Sequence, residues 1–165
     1  MSTVVQSATF DPSIFWGSVG VSPESDKIEE LLMEYRKKRR ESASYAWRDA
    51  LVQDVFETFR TCAVAGWDGY DAEPVSLHSA NGIIELLKNL PEGIEPPVVV
   101  PEPNGDIALE WQTGEHRRFS VSVTGPTFVY AGIFGGSTRQ YGEERFFGAI
   151  PRTILEILAR NFPAG

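Results

Sequence analysis

Three carboxylates fall within six residues, at Asp68, Asp71 and Glu73, inside the segment Gly66-Trp67-Asp68-Gly69-Tyr70-Asp71-Ala72-Glu73-Pro74. Acids at this spacing can hold Mg²⁺ or Ca²⁺, or divide the roles of general acid and base. A calcium loop requires glycine at its sixth position and glutamate at its twelfth. Counted from Asp68, those positions hold Glu73 and Ser79, so the pattern fails. Two other uses fit the residue types. The segment can be a turn whose Asp side chains accept backbone N–H bonds while Trp67 and Tyr70 anchor it to the core. It can also be an acidic partner-binding surface made of Trp67, Asp68, Tyr70, Asp71 and Glu73.

Other constellations carry less chemistry. Asp106, Glu110 and Gln112 have the spacing of a Mg²⁺-dependent nuclease strand, but that strand has no lysine to steady an attacking water. Only two histidines exist, His78 and His116, and neither sits in a nucleophile motif, so a Ser-His or Cys-His arrangement is not indicated. The run Gly132-Ile133-Phe134-Gly135-Gly136-Ser137 lacks the lysine of a phosphate loop and the following helix of a dinucleotide fold. It reads as a tight turn at a strand end. The single cysteine, Cys62, excludes an intramolecular disulfide and a cysteine-based zinc cluster, and its apolar neighbours mark it as a small buried hydrophobe. No catalytic residue, metal or cofactor is assigned.

Charge is unevenly placed. The chain of 165 residues carries a net charge of −8, and residues 61–110 alone hold nine acidic side chains against one basic. A uniformly basic nucleic-acid binder is therefore excluded. The opposite sign is concentrated in Arg36-Lys37-Lys38-Arg39-Arg40. Five consecutive helical residues turn through about 400°, so these cations cannot share one face. Either the helix projects or ends there, or the run, with Arg139, contacts an anion, a nucleic acid or a partner; a nuclear localisation signal is the remaining reading. Arg117 and Arg118 would join if folding gathers them.

The elements that position these groups follow from periodicity. Residues 1–21 contain Phe10, Ile14, Phe15 and Trp16, which suit packing on the body or on a partner. Ser22-Pro23-Glu24 starts a helix with Ile28, Leu31, Leu32 and Tyr35 on one stripe. Ser42 or Ser44 caps a second helix to about Val64, buried through Trp47, Leu51, Val55 and Phe59, with Val52 and Phe56 widening the stripe. The two form a hairpin or one bent helix. Ser76 caps a third helix to about Asn89. Beyond Pro97 the period changes to alternation: Val98–Val100, Ile107–Gln112, Phe119–Thr124 and Phe128–Phe134, separated by turns of a few residues. Turns so short predict an antiparallel meander of three to five strands. Residues 135–142 read as a glycine-rich loop before a short edge strand, and Pro151 opens a final helix. The fold class is α+β in a single domain, with an N-terminal helical segment over residues 1–64 and an α+β core unit over residues 66–165.

The motifs Trp67-Asp68-Gly69-Tyr70-Asp71-Ala72-Glu73-Pro74-Val75, Pro103-Asn104-Gly105-Asp106-Ile107-Ala108-Leu109-Glu110-Trp111 and Tyr130-Ala131-Gly132-Ile133-Phe134-Gly135-Gly136 resemble a group of small bacterial proteins of uncharacterised function. The resemblance covers about residues 66–160 and implies a bacterial cytoplasmic origin and an α+β unit, without catalytic residues. Residues 119–138 are uncharged, but Ser120, Ser122, Thr124, Gly125, Pro126 and Thr127 interrupt them, so no membrane span is expected. No secretory signal is expected either, since the first 22 residues hold no Lys or Arg.

Three function classes follow in order. The first is a non-enzymatic protein-interaction module, such as an antitoxin, an immunity protein or a phage-defence accessory, whose partner is another protein and which also forms a homodimer. The second is a nucleic-acid-contacting accessory protein using Arg36–Arg40. The third is a metal-dependent enzyme using Asp68, Asp71 and Glu73.

Overall fold

A computed structural model of the chain describes residues 23–39 and 46–164. Four helices and a five-stranded antiparallel sheet make an α+β fold, in the order α1 (Pro23–Arg39), α2 (Ala46–Thr61), α3 (Leu77–Asn89), β1 (Val98–Pro101), β2 (Ile107–Thr113), β3 (Arg117–Thr124), β4 (Thr127–Phe134), β5 (Thr138–Arg145) and α4 (Arg152–Asn161). The aromatic segment at Phe10–Trp16, the caps expected at Ser22, Ser42 and Ser44, and Arg40 lie outside the described residues.

Helix α1 buries Ile28, Leu32 and Tyr35, and places Glu24 and Asp26 in its first turn, where the helix dipole favours acids. It contacts both α2 and α3. Helix α2 buries Leu51, Val52, Val55, Phe56 and Phe59, as its period predicts, and also Arg48. The Arg48 guanidinium donates to the carbonyls of Leu90 (2.6 Å) and Pro91 (3.2 Å), placing a cation on the carbonyl end of α3. The helix ends at Thr61, three residues short of Val64, because the Cys62 carbonyl accepts from the Val75 N–H (2.9 Å) and draws the chain into the next turn. Cys62 is buried and free.

The sheet is a plain meander in which each strand pairs with its sequence neighbours. Its register places Val99, Leu109, Val121, Tyr130 and Gly142 in one row across the sheet, and Trp111, Phe119, Gly132 and Gln140 in the next. Directly opposed residues share a face, so these rows line the side covered by helices. Ile107, Leu109, Trp111, Phe119, Val121, Val123 and Phe128 are buried there. Each such side chain contributes about 1.5–3 kcal/mol on leaving water. Helix α3 approaches β3 so closely that a Cβ on Gly82 would lie 2.4 Å from Val123 Cγ1. Residues from all four helices and from β2, β3 and β4 belong to one hydrophobic cluster.

Strand β5 is a correction to the expected loop over residues 135–142. Only residues 135–137 form the connection, and Thr138 already pairs with Phe134. Gly135 and Gly136 turn the chain at φ +63° and +83°, which lets an eight-residue strand follow at once.

Candidate functional site

The 66–75 turn is held by its own side chains and by the neighbouring hairpin. Asp68 Oδ1 accepts from the backbone N–H groups of Tyr70 (2.9 Å) and Ala72 (3.3 Å). The Trp67 indole N–H donates to the Glu73 carbonyl (2.9 Å), and the Gly66 N–H to the Ala72 carbonyl (2.8 Å). Ala72 and Val75 are buried beneath it. The turn is then joined to the β1–β2 connection: the Glu73 N–H donates to the Pro103 carbonyl (2.8 Å) and the Ser76 N–H to the Gly105 carbonyl (2.8 Å). At Gly105, φ is +85° and a Cβ would lie 2.8 Å from the Pro74 carbonyl oxygen, so no larger residue fits this junction without a shift.

The acids of this end divide by use. Asp106 is buried, and its carboxylate accepts from Asn104 Nδ2 (2.9 Å) and Thr124 Oγ1 (2.5 Å). Burial pushes the Glu102 carboxyl above its ordinary range, opposed by a hydrogen bond with Ser122 and reinforced by the carboxylates of Asp106 and Glu110. Glu85 is paired with Lys88 at 2.7 Å. Asp71 and Glu73 stay exposed, and Tyr70, expected with Trp67 to anchor the turn to the core, is instead 85% exposed, leaving Trp67 alone of the two packed on it. Among the described residues, no three His, Cys, Asp or Glu side chains converge on a point able to hold a metal ion. Asp68 Oδ1 is engaged by two backbone N–H groups, which makes this residue part of the turn's own hydrogen bonding.

The opposite end of the sheet is assembled from distant parts of the chain. Phe119 is the hub of an aromatic cluster, with ring centroids 6.1 Å from Trp111, Tyr130 and Phe134 and 6.5 Å from Phe162. Phe162, just beyond α4, seats that helix against the sheet. Between β5 and α4 lies a cleft of about 530 Å³, walled by Tyr130, Phe134, Gln140, Glu156 and Arg160. Burial, with the Glu144 carboxylate as a smaller contribution, raises the Tyr130 phenol above its usual range. A Cβ on Gly142 would lie 2.5 Å from the Tyr130 hydroxyl, so this glycine lets the ring reach across β5. The cleft's polar groups are partly spent on α4 itself: Arg152 pairs with Glu156 (2.7 Å), and Asn161 donates to the Ile157 carbonyl (2.9 Å).

The structure gathers Trp67, Asp68, Tyr70, Asp71 and Glu73 on one turn, with Trp67 half-buried against the core and the other four exposed. Arg36, Lys37, Lys38 and Arg39 occupy the last turns of α1, and Arg40 lies outside the described residues. Arg139 is on β5, at the far edge of the sheet from the β1–β2 connection, about 20 Å across four strand spacings. Register places Gln112, Arg118, Ile133 and Arg139 in one row, so folding does bring Arg118 and Arg139 to the same face. His78 Nε2 bonds the Gly125 carbonyl, and the His116 carbonyl accepts from the Gly135 N–H (3.0 Å). The His78 ring is thereby tied to the β3–β4 turn. Sequence reasoning missed the cleft, since Tyr130, Gln140 and Arg160 share no local pattern.

No helix among the described residues is long and apolar enough to cross a membrane. The chain matches no protein-family model, no curated protein and no solved structure.

Proposed function

We infer that this is a non-enzymatic cytoplasmic binding module that presents the 66–75 turn to a partner protein with a basic surface, the role an antitoxin, an immunity protein or a defence accessory would play. One observation carries this: an aromatic side chain, Tyr70, stands 85% exposed on a backbone pinned by hydrogen bonds on both sides. An aromatic anchor on a pinned turn has its ordering cost met during folding, so little is lost on binding. The exposed carboxylates of Asp71 and Glu73 beside it steer a cationic surface to the ring.

The test is affinity purification of the full chain from its native host at physiological salt. A stoichiometric polypeptide partner is expected, retained by wild type and lost from Tyr70→Ala and from the double variant Asp71→Lys/Glu73→Lys, with both variants folded by circular dichroism. Retention of no partner, or of one indifferent to both changes, overturns the proposal.

A second reading has one observation in its favour, the placement of Arg118 and Arg139 in one cross-strand row. If that face contacts a nucleic-acid backbone, replacing both with Ala lowers the slope of log affinity against log salt by about two. An unchanged slope removes this reading.

A further inference from the structure

The sheet has two edges, and they differ. Strand β1 is four residues long and ends in Pro101, a short edge of the kind that resists pairing. Strand β5 is eight residues long, pairs among the described residues only with β4, and contains no proline. All its residues are exposed or half-buried. A free edge of this length is a ready template for another strand.

The side chains on β5 say which strand. Arg139, Tyr141 and Glu143 alternate on the face away from the helices, all three exposed, with the Tyr141 side chain 82% exposed. Two copies of β5 laid antiparallel around a two-fold axis oppose residues of the same face. With the axis at Tyr141, Arg139 of each copy stands opposite Glu143 of the other, and the two Tyr141 rings meet on the axis. On the helix side, Thr138 then faces Glu144 and Gln140 faces Gly142, with no like charges opposed. Moving the axis to Gly142 sets Arg139 against Arg145. Moving it to Glu143 sets that carboxylate against its own copy, and moving it to Gln140 sets Arg139 against Tyr141 and leaves Glu143 opposite Ser137. One register therefore satisfies both charges twice, and its neighbours satisfy neither. A protective edge of uniform charge would repel a second copy; this cation–aromatic–anion order is complementary to itself when reversed.

We propose that two copies of this chain join through their β5 edges, around a two-fold axis at Tyr141, into one continuous antiparallel sheet with five strands from each copy. This interface is separate from the 66–75 turn and leaves it open.

Sedimentation equilibrium on the full chain tests the proposal. Wild type is expected to reach twice the monomer mass of 18.3 kDa with rising concentration. Arg139→Glu and Glu143→Arg, made singly, each place like charges opposite one another twice and weaken association by about tenfold or more. The double variant Arg139→Glu/Glu143→Arg reverses the order and restores it to within about threefold of wild type. Restoration cannot arise from damage to folding, which the second change would only deepen. A monomeric wild type, a dimer indifferent to the single changes, or a double variant no better than the singles overturns the proposal.

Discussion

At the β1–β2 end of the sheet, Asp68 accepts from two backbone N–H groups and Asp106 from an amide and a hydroxyl, while backbone hydrogen bonds tie the 66–75 turn to the connection at residues 102–106. At the β5–α4 end, aromatic packing takes the place of these hydrogen bonds. Phe119, Tyr130, Phe134 and Phe162 come from β3, from β4 and from just beyond α4, and meet because the sheet and α4 pack. The first end thus offers a fixed surface with one protruding aromatic. The second offers an open cleft and an edge strand paired on one side. Similar residues, acids and aromatics, serve fixation at one end and leave assembly to tertiary packing at the other.

If the second end is held by packing, Phe162→Ala gives the largest effect. Removing the ring that stacks on Phe119 and packs tilted against Phe134 costs about 3–5 kcal/mol in urea unfolding. Hydrogen exchange should rise first in α4 and β5, while the amides of Tyr70 and Ala72 keep their protection. Uniform loss of protection would erase the distinction between the ends.

The next effect compares two glycines with nearly equal positive φ. Gly105→Ala is expected to cost about 2–3 kcal/mol, because the left-handed backbone is compounded by contact with the Pro74 carbonyl oxygen. Gly136→Ala, at the β4–β5 connection, has open space around it and costs about 1 kcal/mol. Equal losses would mean that the first junction is no tighter than the second.

Asp68→Ala removes one carboxylate oxygen from two backbone donors and is expected to cost about 1 kcal/mol, with faster amide exchange confined to the 66–75 turn. The smallest effect is at Glu102, whose folded-state carboxyl lies above its ordinary value of 4.5. Ionising it therefore costs stability. That cost is full above the folded value, shrinks as pH falls through it, and vanishes below 4.5. Glu102→Gln keeps an acceptor for Ser122 and removes the charge. The variant is expected to be more stable than wild type at neutral pH, with the gap closing as pH approaches 4.5 in parallel urea titrations. A gap that widens on acidification would reverse the sign.

What could be read in the sequence follows the same division. The helical stripe of Leu51, Val55 and Phe59 and the alternation of Phe119, Val121 and Val123 depend on neighbours a few residues away, so the α+β class and the meander were visible there. So was the 66–75 turn, whose glycines, aspartates and tryptophan lie side by side. Strand β5 was obscured because Thr138, Arg139, Gln140, Gly142 and Glu143 alternate in no apolar pattern; pairing with β4, not burial, makes it a strand. Arg48 sits on an apolar face with its charge absorbed by carbonyls 42 and 43 residues away, a partnership invisible to local spacing. The cleft beside Tyr130 was hidden for the same reason. Whether Asp68 was a ligand or a turn former was undecided in sequence; the structure shows it accepting backbone N–H bonds.

The central claim is that Tyr70 faces another protein, and a photocrosslinking phenylalanine analogue placed at position 70 in the native host tests it most directly, with the same analogue at position 141 for comparison. Position 70 is expected to give an adduct with a different polypeptide, lost when Asp71 and Glu73 are both changed to Lys, and position 141 an adduct of twice the chain mass. Capture at position 70 of nothing beyond an uncatalogued smear, or of a second copy alone, would contradict it.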